Sequence, residues 1–198
     1  MKTILKLITA TYLISIFTWG CAGRNFVRPQ PDSLSLGKTT YEEVISQFGQ
    51  PYREGTQLKN EINLKTISYA YSTAGGTPMF DGVTPGRSVG FSFMDNILVG
   101  HVFNSSYKED STYFDDTKIT QIKKGETTKA DVIGLLGDRY GEYLYPLIEK
   151  KNEKALVYLY TQVKGSAFNI KFYNKTLIVT LDQNGIVSDV NLNSSGEK

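Results

Sequence analysis

An α+β protein of two tandem units, each with one or two helices followed by three antiparallel strands, is what the sequence predicts. Three observations lead there. A thirteen-residue segment recurs 88 positions later in one ungapped register. An alternating apolar strand and the turn after it recur at the same offset. Within each copy the apolar spacing changes from helical to strand period.

The chain opens with a segment that is not part of the fold. Lys2 and Lys6 precede an 11-residue apolar stretch, Leu7 to Phe17. That stretch is too short for a bilayer-spanning helix of about 20 residues and reads as a signal peptide over residues 1–20. It runs into Gly20-Cys21, with the only Cys of the chain where a lipobox places it and a small residue before it. Cys21 is therefore the expected lipidation site, and a lone Cys leaves no intrachain disulfide or cysteine metal cluster. With the signal's two lysines removed, 20 basic residues face 20 acidic ones. A neutral mature chain lacks the basic face that a nucleic-acid partner requires. Residues 21–32, with two prolines and no period, read as a tether.

Residues 33–107 form the expected first unit, 113–193 the second, and 194–198 a polar tail. Gly37 to Gly49 aligns with Gly125 to Gly137, and six of the thirteen positions are identical. Thr40 and Thr128 are N-cap candidates, each with an acid three residues on (Glu43, Asp131) to complete a capping box. Val44, Ile45 and Phe48, like Val132, Leu135 and Leu136, keep helical spacing. Gly49 and Gly137 then stop each helix. In the second copy a preceding helix starts at Asp116 and carries Ile119 and Ile122. Strands follow at Lys65 to Tyr71 and Ala155 to Val163. Val89, Phe91 and Phe93 then alternate with Ser88, Gly90 and Ser92, and Leu177, Val179 and Leu181 fall at matching places. Asp95-Asn96 and Gln183-Asn184-Gly185 are hairpin turns leading into return strands. Between the first two strands the copies differ. Residues 73–88 are rich in Gly and Pro and read as an irregular loop, whereas Phe168, Ile170 and Phe172 alternate and suggest a longer hairpin.

The run Ile119 to Gly137, with Gly125-Glu126-Thr127 inside it and Leu181 to Val187 after it, resembles the SmpA/OmlA (BamE-like) family of outer-membrane lipoproteins. The doubled arrangement is similar to that of beta-lactamase inhibitor proteins. The resemblance implies two tandem ααβββ modules, with helices packed on antiparallel three-stranded sheets. It also implies a non-enzymatic role in the bacterial envelope, associated with outer-membrane β-barrel assembly, in a protein facing the periplasm.

Candidate chemistry is sparse. His101 is the only histidine, in a return strand with no motif partner, so neither a metal site nor a serine triad is readable. Neighbouring carboxylates such as Glu42-Glu43 and Asp115-Asp116 suit helix starts. No cofactor is expected beyond the lipid on Cys21. Val157 and Leu159 alternate with Tyr158 and Tyr160, so one set needs a cover other than the helices. Tyrosine is enriched in interface cores, which makes Tyr158 and Tyr160 candidate partner contacts. Phe80 and Arg87, in the long Gly/Pro loop, are candidates because such loops are often functional. The expected function is that of a lipid-anchored envelope protein that binds another envelope protein. The alternative is an inhibitor or sequestering protein that blocks an enzyme through its sheet, which an exposed concave row of aromatics favours.

Overall fold

Each unit begins with a helix whose start and stop are written locally. Helix α1 covers Tyr41–Phe48 and α2 covers Lys129–Leu136. In both, the capping threonine accepts from the backbone N–H three residues on, and that residue's carboxylate accepts from the threonine N–H. Such a cap is worth about 1 kcal/mol. Gly49 and Gly137 end the helices at φ of 79° and 90°, where an L side chain is strained. The computed structural model describes residues 23–30, 33–73, 75–166 and 168–197. The signal segment and Cys21 lie outside the described residues.

The strands are β1 (Arg53–Lys59), β2 (Ile62–Ser72), β3 (Val83–Thr84), β4 (Gly86–Met94), β5 (Ile97–Ser105), β6 (Gly141–Tyr143), β7 (Lys154–Ser166), β8 (Asn169–Leu181) and β9 (Val187–Gly196). All join one curled antiparallel sheet in the order β1-β2-β4-β5-β6-β7-β8-β9, with β3 paired to β7. This corrects the expected pair of ααβββ modules on separate three-stranded sheets. Among the described residues there are only two eight-residue α-helices and one six-residue 3-10 helix, Asp116–Gln121.

Two physical causes account for the difference. The turn before each α-helix is tightened by a threonine: Thr39 and Thr127 accept through Oγ1 from the N–H of Ser35 and Lys123. Their own N–H groups bond back to the carbonyls of the same two residues. A full helix has no room there, so the expected first helix becomes a turn in one half and a single 3-10 segment in the other. Each half also has an added strand directly after its α-helix, and the first half carries the two-residue β3 besides. Strand β1 is exposed along its whole length and carries no apolar alternation, and β6 has three residues, so neither shows the period-2 pattern. Strand β6 then pairs with the last strand of the first half and the first long strand of the second, which fuses the halves.

Helix-to-hairpin contacts recur between the halves. Gly37 N–H bonds to Leu98 O as Gly125 N–H does to Val187 O, and Tyr41 N–H bonds to Asn96 O as Lys129 N–H does to Gly185 O. Both halves carry a register shift at the same place, between Ser92 and Phe93 and between Thr180 and Leu181. The turn from β8 to β9 is one residue longer than that from β4 to β5, so the return strands match one position later than the helices do. Each helix covers its own core. Val44 lies with Ile67, Val89, Phe91, Phe93 and Leu98; Val132 lies with Leu156, Tyr158, Leu177, Val179 and Leu181.

The described part of the expected tether is packed down. Phe26 meets Tyr69 and Phe103 edge-on at 6.3 and 6.4 Å, and its carbonyl accepts from Arg87 at 2.8 Å. Arg28 donates to the carbonyls of Asp138 and Tyr140 in the second half. Residues 23–30 thus strap the halves together on the helix side.

The joint itself tolerates no side chain at Gly141. A Cβ there would lie 2.2 Å from His101 O and 2.7 Å from Val102 Cα, both backbone atoms of β5. Gly141→Ala is expected to lower stability by about 3 kcal/mol through overpacking. Chemical denaturation of the two proteins measures this, and an unchanged midpoint contradicts it.

Candidate functional site

Strand alternation gives the sheet two unlike faces. The helix side is apolar and buried. The other side is lined by short side chains: Thr66, Ser68 and Ala70 on β2, and Ser88, Gly90 and Ser92 on β4. Because these residues alternate with Val89, Phe91 and Phe93, the register that buries the core also sets them outward. Farther across, Val102 and Asn104 of β5 and Thr161 and Val163 of β7 continue the surface.

Two shallow hollows lie on it. One, of about 240 Å³, is bounded by Thr66, Ser68, Gly90, Ser92, Val102 and Tyr143. The other, of about 270 Å³, is bounded by Ser72, Gly86, Ser88, Asn104, Thr161 and Val163. Asn104 accepts from Thr161 N–H at 2.8 Å and so closes the sheet where β6 has ended. Thr161 in turn donates to Asn174 at 3.0 Å. A Cβ built at Gly90 meets nothing within 4 Å, so the centre of this face is open. Toward the β4–β5 turn the face is covered by the segment after β6. Asn60 donates to the carbonyls of Pro146 and Ile148, and Leu147 lies over Gly100. A larger hollow of about 770 Å³ lies between the strap and the end of α1, bounded by Arg24, Phe26, Phe48, Gln50, Tyr52 and Tyr69. Its wall is the strap itself, and Tyr69 there already donates to Gly49 O at 2.6 Å.

The residues singled out in the sequence fall elsewhere. Tyr158 and Tyr160 are each 1% exposed on the helix side of β7, so neither side chain is presented to a partner. The Tyr158 hydroxyl donates to Gly137 O at 3.0 Å, just as Tyr69 serves Gly49 in the first half. Burial pushes the hydroxyls of Tyr69 and Tyr160 up to about 12 and that of Tyr158 higher still. Phe80 is partly exposed and packs edge-on against Tyr113 at 4.9 Å. Arg87 is buried, paired with Glu109 at 2.6 Å and Asp110 at 3.5 Å, and stacked over Tyr107. It is a clamp on the strap and the 106–112 loop. Cys21 lies outside the described residues.

Lys175 escaped the sequence reading. It sits almost wholly buried on the helix side of β8, where it bonds to Phe114 O and pairs with Asp116 at 2.9 Å, near the rings of Tyr113 and Phe114. It fixes the linker that enters the second half. Only its place in the alternation of β8, at an inward position, could have signalled this.

No family model matches the chain, so the resemblance to SmpA/OmlA lipoproteins gains nothing from that comparison, and no curated protein matches. A solved structure from Streptococcus mutans, provisionally described as a beta-lactamase inhibitor protein, is similar over 78% of this chain and 82% of its own. Its identity to this chain is 14% and the TM-score 0.39.

Among the described residues no group of three or more His, Cys, Asp or Glu is placed to hold a metal ion. His101 faces the helix side, opposite Glu142. Burial lowers its pKa more than Glu142 raises it. Below the usual imidazole pKa of about 6.5 the unfolded chain therefore takes up a proton that the folded chain resists. Stability from this residue is complete above that pH and falls as the pH drops through it. His101→Gln is expected to flatten the change in melting temperature between pH 7.5 and 5.5; identical slopes for both proteins refute the assignment.

Proposed function

We propose that this chain is a non-catalytic, protein-binding component of a bacterial envelope, tethered by lipid on Cys21, whose partner docks on the helix-free face of the sheet. The observation that carries the reading is the open row Ser88, Gly90 and Ser92 beside Thr66 and Ser68, with a hollow at each end and no covering layer. Small side chains set side by side on a rigid sheet leave room for a partner's larger ones. Hydroxyls and the Asn104 amide supply hydrogen bonds at the rim of such a contact. These groups bind and orient; no imidazole or carboxylate pair stands among them to move a proton.

A sequestering or inhibitory role uses the same uncovered face, and its openness at Gly90 favours that role over a purely structural one. Among the described residues the exposed aromatics Phe80, Tyr113, Phe168 and Phe172 gather at one end of the sheet and Tyr52 stands apart beside the start of β1, so they form no row across the helix-free face. The insertion is therefore expected to run from partner into sheet. Crosslinking in the native cell, followed by identification of the neighbour, separates an enzyme partner from a β-barrel assembly component.

Because Gly90 faces open space, Gly90→Arg is expected to leave the melting temperature nearly unchanged. It should reduce recovery of the crosslinked partner at least tenfold, equivalent to about 1.4 kcal/mol of binding. Undiminished recovery moves the docking site off this face. Cys21→Ser is expected to shift the protein from the membrane fraction to the soluble one, and unchanged fractionation excludes the anchor.

A further inference from the structure

The two ends of the sheet differ in chemistry. At one end the turns are polar: Asn60-Glu61, Asp95-Asn96 and Gln183-Asn184. Of the large apolar side chains, Leu58 alone is exposed near that end among the described residues. At the other end β2 finishes, β4 begins and β5 finishes, as Ser72 beside Gly86 and Arg87 beside Ser105 show. Asn104 against Thr161, and Val83 beside Lys164, put the β7–β8 hairpin tip at this same end. Met79, Phe80, Tyr113, Phe168, Ile170 and Phe172 are all exposed here.

The tip is the most extreme feature. Phe168 is 101% exposed, and Ile170 and Phe172 keep 51% and 59% of their surface in solvent. The last pair with β9 is Tyr173 with Gly196, whereas β7 and β8 stay paired to Ser166 and Asn169. Glu197 N–H still bonds to Phe172 O at 2.9 Å, so at about 3.3 Å per residue the hairpin runs roughly 10 Å past its neighbour. Three exposed apolar side chains on such an overhang do nothing for the core beneath. The N-terminal strap starts at this end too. Gly23 abuts Ala70, two residues from the end of β2, and Cys21 is two residues before Gly23.

We propose that the β7–β8 hairpin tip is a lipid-contacting wedge. Phe168, with Ile170 and Phe172 behind it, enters the interfacial layer of the bilayer to which the N-terminus is tethered. Aromatic and aliphatic side chains are favoured at that depth. Lys164 and Lys171, a cross-strand pair just behind the tip, then stand at headgroup level, Lys164 as the cation for the headgroups and Lys171 paired with Glu197 at 2.8 Å. A second contact beside the tether sets the orientation of the molecule, with its polar turns away from the membrane. The inference rests on the anchor reading for its biological setting, and its test is built to be independent of it.

The chain's only Trp, Trp19, precedes Cys21, so the chain from Cys21 onward holds every described residue and no indole. Phe168→Trp therefore introduces a single reporter, and Leu58→Trp a control at the opposite end. Each variant is coupled through its one Cys to a maleimide lipid in vesicles of phosphatidylethanolamine with phosphatidylglycerol, whether or not the cell lipidates that Cys. The expected result is that emission of the Phe168→Trp protein shifts to shorter wavelength and is largely lost with brominated acyl chains, while that of Leu58→Trp is unaffected. In the uncoupled Cys21→Ser chain, replacing Phe168, Ile170 and Phe172 together by Ser is expected to weaken vesicle partition about tenfold. A Phe168→Trp indole that stays water-exposed on the coupled protein overturns the proposal and leaves the tip to a protein partner. Equal quenching of both reporters also overturns it. Failure of the anchor reading is seen separately, as an unmodified mass of the processed N-terminal peptide.

Discussion

Three residues, Gly141 to Tyr143, make one sheet out of two halves. Each half has its own helix and its own buried cluster; besides this joint the halves meet through the strap, β3 and the segment after β6, where Asn60 donates to the Pro146 and Ile148 carbonyls and Leu147 lies over Gly100. The pairing at this joint is short, so its strength comes from closeness. Gly141 brings backbone against backbone, Asn104 takes over the ladder where β6 stops, and Arg28 reaches across from the strap. Continuity of the helix-free face depends on this joint, because the second hollow is bounded by β2, β4 and β5 on one side and β7 on the other.

Much of the local structure was legible in the residues. The Thr40–Glu43 and Thr128–Asp131 boxes, the glycine stops, the inward Val89, Phe91 and Phe93 and the long second hairpin all follow from rules of a few residues' reach. The joint did not show itself, because pairing of β5 with β6 links residues about forty apart and β6 is too short to display a period. Nor did the polar β1, whose partner β2 supplies the pattern it lacks. The apolar residues on both faces of β7 signalled a need for two covers, but not which set meets the helix. The tyrosines went inward, where Tyr158 donates to the Gly137 carbonyl and Tyr160 to the Gln162 side-chain oxygen. The small row on β4 was visible as the complement of its core residues, though its openness depends on what the rest of the chain leaves uncovered.

Buried cations carry an unusual share of the loop geometry. Arg87 holds the strap and the 106–112 loop, and Lys175 holds the linker at Phe114 and Asp116. Both sit at inward strand positions toward the same end of the sheet. A buried cation demands several oxygens at once, so each orders a segment that has few apolar residues of its own. The wider face of the sheet can then stay uncovered while the loops at its end remain fixed.

The strap has a mechanical consequence. Its Phe26 is seated on the core of the first half and its Arg28 grips the second, so a pull delivered to the N-terminus meets the Phe26 socket first and the joint next, before it reaches the core of the second half. Load passes from that aromatic socket in the first half into the two carbonyl contacts of Arg28 that cross the seam. A molecule held at that point and pushed or drawn by a neighbour yields first by peeling residues 23–30, and only afterwards by separating its halves.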